Sequence, residues 1–139
     1  MDYHLLDSWA ILAFLWQEQP AANDVRQLLY TAQTDTNTNL LLPIINLGEV
    51  YYRVRQKQSL AKAESALALL QQLPLTVLSA TDKRVMAAAR LKAQYRISYA
   101  DAFAAGAAIE FDATLWTGDP ELLELTALLK LHPLARQSR

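Results

Sequence analysis

The chain has 139 residues, of which 53% are hydrophobic and 19% charged, and its formal net charge is −1. This length and composition predict a single globular domain over residues 1–139 and exclude a disordered chain. The lack of cysteine excludes disulfides, thiolate zinc sites and cysteine nucleophiles. The near-neutral charge disfavours gripping nucleic acid by bulk electrostatics, although bound divalent metals would supply positive charge locally.

The N-terminal segment is a short apolar strand followed by an apolar helix. Residues Tyr3–Leu6 predict the strand. Helical spacing then puts four side chains on one face, namely Trp9, Leu12, Ala13 and Trp16. The run AILAFLW is too short to span a bilayer, and Asp2 and Asp7 stand where a signal peptide would carry positive charge. We therefore expect a cytoplasmic protein that does not bind membranes.

Prolines and polar segments separate the elements that follow. Pro20 ends the first helix, a second begins near Ala21, and the polar run TDTNTN at 34–39 predicts a loop. The other predicted elements are strands at 40–42, 75–78, 113–116 and 130–133, and helices at 45–56, 59–72, 82–95, 99–111 and 120–127. This alternation predicts an α/β fold, a three-layer α/β/α sandwich around a short, mainly parallel sheet of about five strands.

Four carboxylates lie inside or beside apolar runs, where an ionised side chain is costly unless it is compensated. They are Asp7, Glu49, Asp101 and Asp119. Asp7 and Asp119 each follow a predicted strand, and open parallel sheets bind ligands outside the carboxyl ends of their strands. We therefore expect a common crevice in which the acids bind a divalent cation.

Two of these acids have an equally simple interpretation as helix caps. Asp7 precedes Ser8 at a strand-to-helix junction, which is typical of an N-cap aspartate. Asp119 begins the tripeptide Asp-Pro-Glu, a favourable helix start, although the preceding Thr117-Gly118 turn would also present it at the sheet edge. Capping and metal binding both stay open for this pair.

The other two acids have different structural alternatives. Asp101 stands three residues after Ser98, as in a capping box with aspartate in place of glutamate. Glu49 can pair with Arg53 at helical (i, i+4) spacing. Gly48 beside it is costly in a helix, which predicts that another element approaches closely at that point.

Taken in order, these segments resemble the PIN-domain family of metal-dependent ribonucleases, and particularly the VapC-type toxins of bacterial toxin–antitoxin pairs. The resemblance rests on Asp7-Ser8 before an apolar helix, Glu49 after the second strand, Asp101-Ala102 heading an alanine-rich helix, and Thr117-Gly118-Asp119 after a strand. It covers essentially the whole chain, and all four acidic positions are filled. Gly118 is a departure, because many relatives carry a basic or other polar residue there.

The resemblance implies hydrolysis of RNA phosphodiester bonds with Mg²⁺ or Mn²⁺. It makes all four acids catalytic, with Asp7, Asp101 and Asp119 as principal metal ligands. Glu49 would bind a second ion or orient the attacking water. It also implies a small antitoxin protein as partner and a homodimer, and no organic cofactor.

The donor types favour the same metals independently of the resemblance. Oxygen ligands suit Mg²⁺ and Mn²⁺, whereas a chain with no cysteine and only His4 and His132 can hardly build a softer site. Ser8 and Thr117 are expected to support metal-bound water or phosphate, or only to cap their turns. His4, inside an apolar strand, is more typical of a paired core histidine than of a catalytic base.

Several aromatic residues have two open interpretations. Trp9, Phe14 and Trp16 either pack helix faces or form a groove for an antitoxin helix. Tyr51 and Tyr52, next to Glu49, either stack on RNA or contact a second subunit.

Four other functions compete with a toxin ribonuclease. A non-catalytic binding module would keep the acidic pocket for structural ion binding, and a housekeeping RNA-processing nuclease would share the chemistry. A receiver or a haloacid-dehalogenase-like phosphatase fits poorly, because Asp7 is followed by Ser8 and Trp9 rather than by another acid.

Overall fold

Five short strands and seven helices make up residues 1–137, the part of the chain that the computed structural model describes. The strands are β1 Asp2–Leu6, β2 Thr38–Pro43, β3 Leu75–Leu78, β4 Thr114–Thr117 and β5 Lys130–Pro133. The helices are α1 Ser8–Leu15, α2 Ala21–Thr34, α3 Ile44–Lys57, α4 Leu60–Gln71, α5 Asp82–Gln94, α6 Tyr99–Phe111 and α7 Pro120–Leu123. Over this same part of the chain, no helix has the length and apolar character needed to cross a membrane.

The strands form one parallel sheet in the order β3-β2-β1-β4-β5, with β1 at its centre. In the register, His4 lies opposite Leu40 of β2 on one side and Thr114 of β4 on the other. All five carboxyl ends therefore meet at one edge of the sheet. This confirms the predicted α/β fold and puts the segments after β1 and β4 side by side.

Helices cover both faces of the sheet, because successive side chains of a strand point to opposite sides. Leu6 packs with residues of α1, α2, α3 and α4, whereas Leu5 packs with the alanines of α6. Leu5 and Leu6 are both fully buried. The end of a strand that is buried on both faces needs consecutive apolar side chains, which explains the Leu5-Leu6 pair at the carboxyl end of β1. The α/β/α sandwich is confirmed.

Helix α5 lies outside α6 and packs on its small side chains. A Cβ built on Gly106 would lie 3.7 Å from Leu91 Cδ1 and 3.9 Å from the Ala88 backbone nitrogen, so α5 contacts this face of α6 directly. Gly48 does not mark a close approach, because a Cβ built there meets nothing within 4 Å. That prediction was wrong.

The boundaries of two predicted elements, at 40–42 and 120–127, differ from those observed by more than one residue. Strand β2 begins at Thr38, inside the predicted 34–39 loop, because Thr38 pairs with Asp2 of β1. Only Asp35 to Asn37 form the turn, in which the Asp35 carboxylate accepts the Asn37 N–H at 2.9 Å. Helix α7 ends at Leu123 rather than at 127. The chain between α7 and β5 forms turns, in which the Leu128 and Leu129 N–H groups donate to the Leu125 carbonyl.

Candidate metal-binding active site

A cavity of about 300 Å³ opens at the carboxyl edge of the sheet. It is lined by Ser8, Trp9, Leu12, Trp16, Glu49, Arg53, Ser98, Asp101, Asp119, Glu121 and Arg136. Three of the four predicted acids are in this lining, together with Glu121, which is a further carboxylate. The fourth, Asp7, lies beneath the cavity, close enough for the charges of Asp101 and Asp119 to raise its pKa.

Asp7 is almost completely buried, with 1% of its surface exposed. Its Oδ1 accepts the Ala10 N–H at 2.9 Å, which caps α1, and its Oδ2 accepts the Thr117 hydroxyl at 2.5 Å. Burial raises the pKa of Asp7 to about 7, the two hydrogen bonds act against this, and repulsion from Asp101 and Asp119 adds to it. The cap that the sequence suggested is real, and the same carboxylate belongs to the acidic cluster.

Asp101 lies in the first turn of α6, where Ser98 caps the helix by accepting the Asp101 N–H at 3.1 Å. Burial raises the pKa of Asp101 to about 7, and the charge of Asp119 is the next largest contribution. Glu49 and Glu121 repel it as well, whereas the Ser98 hydroxyl favours the ionised form. The Asp101 carboxylate is therefore held among like charges, which favours a cation.

Asp119 is fixed by a turn that also holds Asp7. The Thr117 hydroxyl accepts the Asp119 N–H at 3.0 Å while it donates to Asp7. Asp119 Oδ1 accepts the N–H groups of Glu121 and Leu122 at 2.9 and 3.3 Å, so it also caps α7. One hydroxyl thus links two acids that are 112 residues apart in sequence.

Glu49 reaches the cavity from α3, and its side chain is 14% exposed. Its Oε2 accepts hydrogen-bond donors from Arg53 at 3.3 Å and from Tyr52 at 3.5 Å. The (i, i+4) pair is therefore present, and it does not remove Glu49 from the cavity. Arg53 lines the same cavity and is the nearest positive charge to this carboxylate.

Asn46 was not predicted, although it joins the three helices that carry the site. Its Nδ2 donates to Ser8 Oγ of α1 at 3.1 Å and to the Ala100 carbonyl of α6 at 3.3 Å. Ser8 Oγ in turn donates to the Asn46 carbonyl at 3.3 Å. Asn46 is fully buried, so a polar residue in the apolar first turn of α3 was the available sequence signal.

Other residues that the sequence singled out lie outside the cavity lining. His4 is paired, because its Nδ1 accepts the Trp116 indole N–H and its Nε2 contacts Asp2, both at 2.9 Å. Phe14 packs against the core, and the Tyr51 hydroxyl donates to Glu64. None of these contacts brings the residue to the acidic cluster.

Trp9 and Trp16 line the cavity as well as packing on the core. Trp9 occupies the space that a side chain at position 118 would need. A Cβ built on Gly118 would lie 2.3 Å from Trp9 Cζ2, which is far inside van der Waals contact. Glycine is therefore required in the Thr117–Asp119 turn as long as the indole stays where it is.

We expect Gly118→Ala to lower the free energy of unfolding by about 1 to 3 kcal/mol, since the added methyl must displace a packed ring. Gly48→Ala is the matched control, because it adds the same methyl to a helix where nothing lies within 4 Å. That control is expected to raise stability by about 0.5 to 1 kcal/mol. Urea denaturation measures both, and equal effects of the two substitutions would contradict the Trp9 contact.

The oxygen donors of the cavity fit a hard divalent cation, but they do not form a finished ligand cage. Within residues 1–137, no three acidic or histidine side chains already stand close enough together to hold a metal ion. Mg²⁺ usually keeps several water ligands and uses one or two carboxylates, so a closed set of three is not needed. The buried, mutually repelling acids fit this mode of binding.

Comparisons with known proteins agree with this fold. A family model described as PIN domain matches residues 4–128. No curated protein matches the chain. Among solved structures, VapBC2 from Rickettsia felis, bound to a promoter DNA fragment, is similar with 20% identity, coverage of 97% of this chain and 100% of that chain, and a TM-score of 0.72.

Two further solved structures show the same likeness. VapC20 from Mycobacterium tuberculosis, described as a sarcin-ricin loop cleaving toxin, has 12% identity, coverage of 93% and 98%, and a TM-score of 0.73. VapBC-1 from nontypeable Haemophilus influenzae has 18% identity, coverage of 96% and 98%, and a TM-score of 0.68. At these identities the likeness establishes a common fold.

Proposed function

The chain belongs to the PIN domain family, and from this premise we propose that it is a metal-dependent endoribonuclease that hydrolyses RNA phosphodiester bonds. The convergence of acids carries the proposal. Burial and mutual repulsion raise the pKa values of Asp7 and Asp101 to about 7. Perturbed carboxylates around a cavity disfavour the fold unless a cation binds, and they are typical of functional sites.

Asp101 and Asp119 would hold Mg²⁺ or Mn²⁺ at the cavity, with Asp7 beneath them and Glu49 at the side. When bound, such an ion would polarise a phosphoryl oxygen and lower the pKa of the attacking water. The protein itself must hold these carboxylates in place against their mutual repulsion.

Neighbouring polar side chains position the carboxylates. Thr117 fixes Asp7 and the Asp119 turn through one hydroxyl, and Asn46 joins α1, α3 and α6. Arg53 engages Glu49 Oε2. Oε1 is then the oxygen of Glu49 that would accept a proton from the attacking water and orient it.

We further propose that the nuclease is the toxin of a toxin–antitoxin pair, held inactive by a small antitoxin protein and active as a homodimer. Support comes from the fold shared with the VapBC structures, which are toxin–antitoxin complexes. A housekeeping nuclease of the same fold would have the same cavity, and the absence of any growth defect on expression would favour it.

Cleavage of total cellular RNA tests the catalytic proposal. We expect the purified protein to cut RNA when millimolar Mg²⁺ or Mn²⁺ is present and to stop when a chelator is in excess, because the acids alone repel phosphate. Full activity in chelator would contradict the proposal. Metal binding without cleavage of any RNA would favour the non-catalytic binding module instead.

A further inference from the structure

The C-terminal segment that follows β5 returns to the cavity and brings one arginine with it. Its backbone is held at three points: Leu134 N–H donates to the Thr117 carbonyl at 2.8 Å, Ala21 N–H donates to the Ala135 carbonyl at 3.0 Å, and Gln137 N–H donates to the Gln19 carbonyl at 2.9 Å. Arg136, which lies between these contacts, is thus fixed at the border of the cavity.

The Arg136 side chain is held on its apolar and polar sides without being buried. Its guanidinium carbon lies 5.3 Å from the centroid of the Trp9 ring, and its Nη1 lies 3.1 Å from Glu18 Oε1. The side chain is 51% exposed. Trp9 is itself packed against Gly118, so the guanidinium lies over a ring that contacts the Thr117–Asp119 turn.

Arg136 differs from Arg53, the other cation of the cavity lining. Arg53 is paired with Glu49, which is itself a cavity acid, whereas the partner of Arg136 is Glu18, outside the lining. Within residues 1–137, Glu18 accepts the only hydrogen bond of the Arg136 guanidinium. A guanidinium has five N–H donors, so most of those of Arg136 are available to a ligand.

We propose that Arg136, supported by Trp9, binds a backbone phosphate of the RNA strand next to the phosphate held at the acidic cavity. The inference rests on the proposed function and adds a specific substrate contact to it. Arginine suits this role because its planar fork donates two parallel hydrogen bonds to phosphate and keeps its charge at all working pH values. At the border of a cavity lined by four carboxylates, such a cation adds a fixed attraction for a polyanion.

A purely structural role for Arg136 predicts different results. In that case loss of the ion pair with Glu18 would impair the protein, whichever partner is replaced, and Arg136 would make no contact with RNA. Arg136→Gln removes the cation and the pair together. Glu18→Gln removes the same pair and leaves the cation. Arg90→Gln removes one positive charge from an exposed position on α5 and serves as the control for net charge.

The kinetics of RNA cleavage and the anisotropy of a labelled, random-sequence single-stranded oligoribonucleotide should be measured for all three variants over a series of salt concentrations. For Arg136→Gln we expect KM and Kd to rise about fivefold or more and kcat to stay within about twofold. The slope of the logarithm of the binding constant against the logarithm of the salt concentration should fall in magnitude by about one. Glu18→Gln should bind RNA as tightly as the unmodified protein or more tightly. Arg90→Gln should leave all four quantities unchanged.

Equal losses for Arg136→Gln and Glu18→Gln would overturn the inference in favour of a structural pair. An Arg136→Gln variant that behaves like Arg90→Gln would also overturn it, since Arg136 would then have no role in binding RNA. The two assays separate this failure from that of the proposed function. If the unmodified protein cuts no RNA, the nuclease proposal fails, and the binding assay still decides the role of Arg136. If it neither cuts nor binds RNA, both are overturned.

Discussion

Asp101→Asn is expected to lower metal-dependent RNA cleavage by about 100-fold or more, because loss of one charged ligand weakens both metal binding and the stabilisation of transition-state charge. The substitution keeps the shape of the side chain and leaves the Ser98 cap in place, since that cap uses the backbone N–H of residue 101. The fold should therefore survive. Initial rates of RNA cleavage, together with a circular dichroism spectrum, measure the two effects separately.

Asp82→Asn is the matched control for this result. Asp82 is an exposed acid in the first turn of the neighbouring helix α5, where Thr81 caps the helix as Ser98 does in α6. The control removes the same charge from the same kind of helix position outside the cavity, so cleavage should be unchanged. If Asp101→Asn and Asp82→Asn cleave RNA equally well, Asp101 is not a metal ligand.

Asp101→Asn should also stabilise the metal-free protein at neutral and alkaline pH. The folded-state pKa values of Asp7 and Asp101 are raised from 3.8 to about 7. Between these pH values the folded protein therefore binds more protons than the unfolded chain. The contribution of the two groups to stability is fully present below about pH 4 and falls as the pH rises to about 7. Above that pH both groups are ionised in both states, and their contribution no longer changes.

The expected size follows from the linkage between pKa and folding. A shift from 3.8 to about 7 corresponds to roughly 4 kcal/mol for one isolated group. The repulsion is shared between the acids and is relaxed by solvent near the cavity, so we expect Asp101→Asn to gain about 2 kcal/mol in chelator at about pH 8 and clearly less at about pH 5. Urea denaturation at the two pH values measures this difference.

Metal should reverse the order of stability. Millimolar Mg²⁺ or Mn²⁺ binds the native protein and is expected to raise the melting temperature of the unmodified chain, more at about pH 8 than at about pH 5, because protons compete for the carboxylates. Asp101→Asn should lose most of that rise, whereas Asp82→Asn should keep it. A melting temperature that is insensitive to both metals at both pH values would contradict the site.

Most elements of the fold were predicted because their side-chain patterns are local. Residues 75–78, 99–111 and 130–133 match the observed β3, α6 and β5 at both ends. The start of β2 was missed because its polar sequence favours a turn, whereas pairing with Asp2 in the sheet decides its conformation. That residues 1–139 form one domain stays a prediction.

The candidate site was predicted less completely than the fold. The four acids have local signals, since each interrupts or ends an apolar run. Asn46 has a weaker signal, and Arg136 has none. Two of the three backbone hydrogen bonds that hold its segment join it to Gln19 and Ala21, more than 100 positions away. Asp7 and Asp119 each cap a helix with one oxygen and also belong to the acidic cluster, so capping does not exclude the proposed metal binding.

The sequence by itself determined the order of strands and helices, the parallel sheet and the acids at its edge, because periodicity and chain connectivity are enough to establish these. Only the tertiary structure decided what surrounds those acids. The raised pKa values of Asp7 and Asp101 depend first on their burial and then on the nearby charge of Asp119. The need for glycine at 118 depends on the position of Trp9. Such contacts join residues that are distant in sequence, so no local pattern of amino acids can encode them.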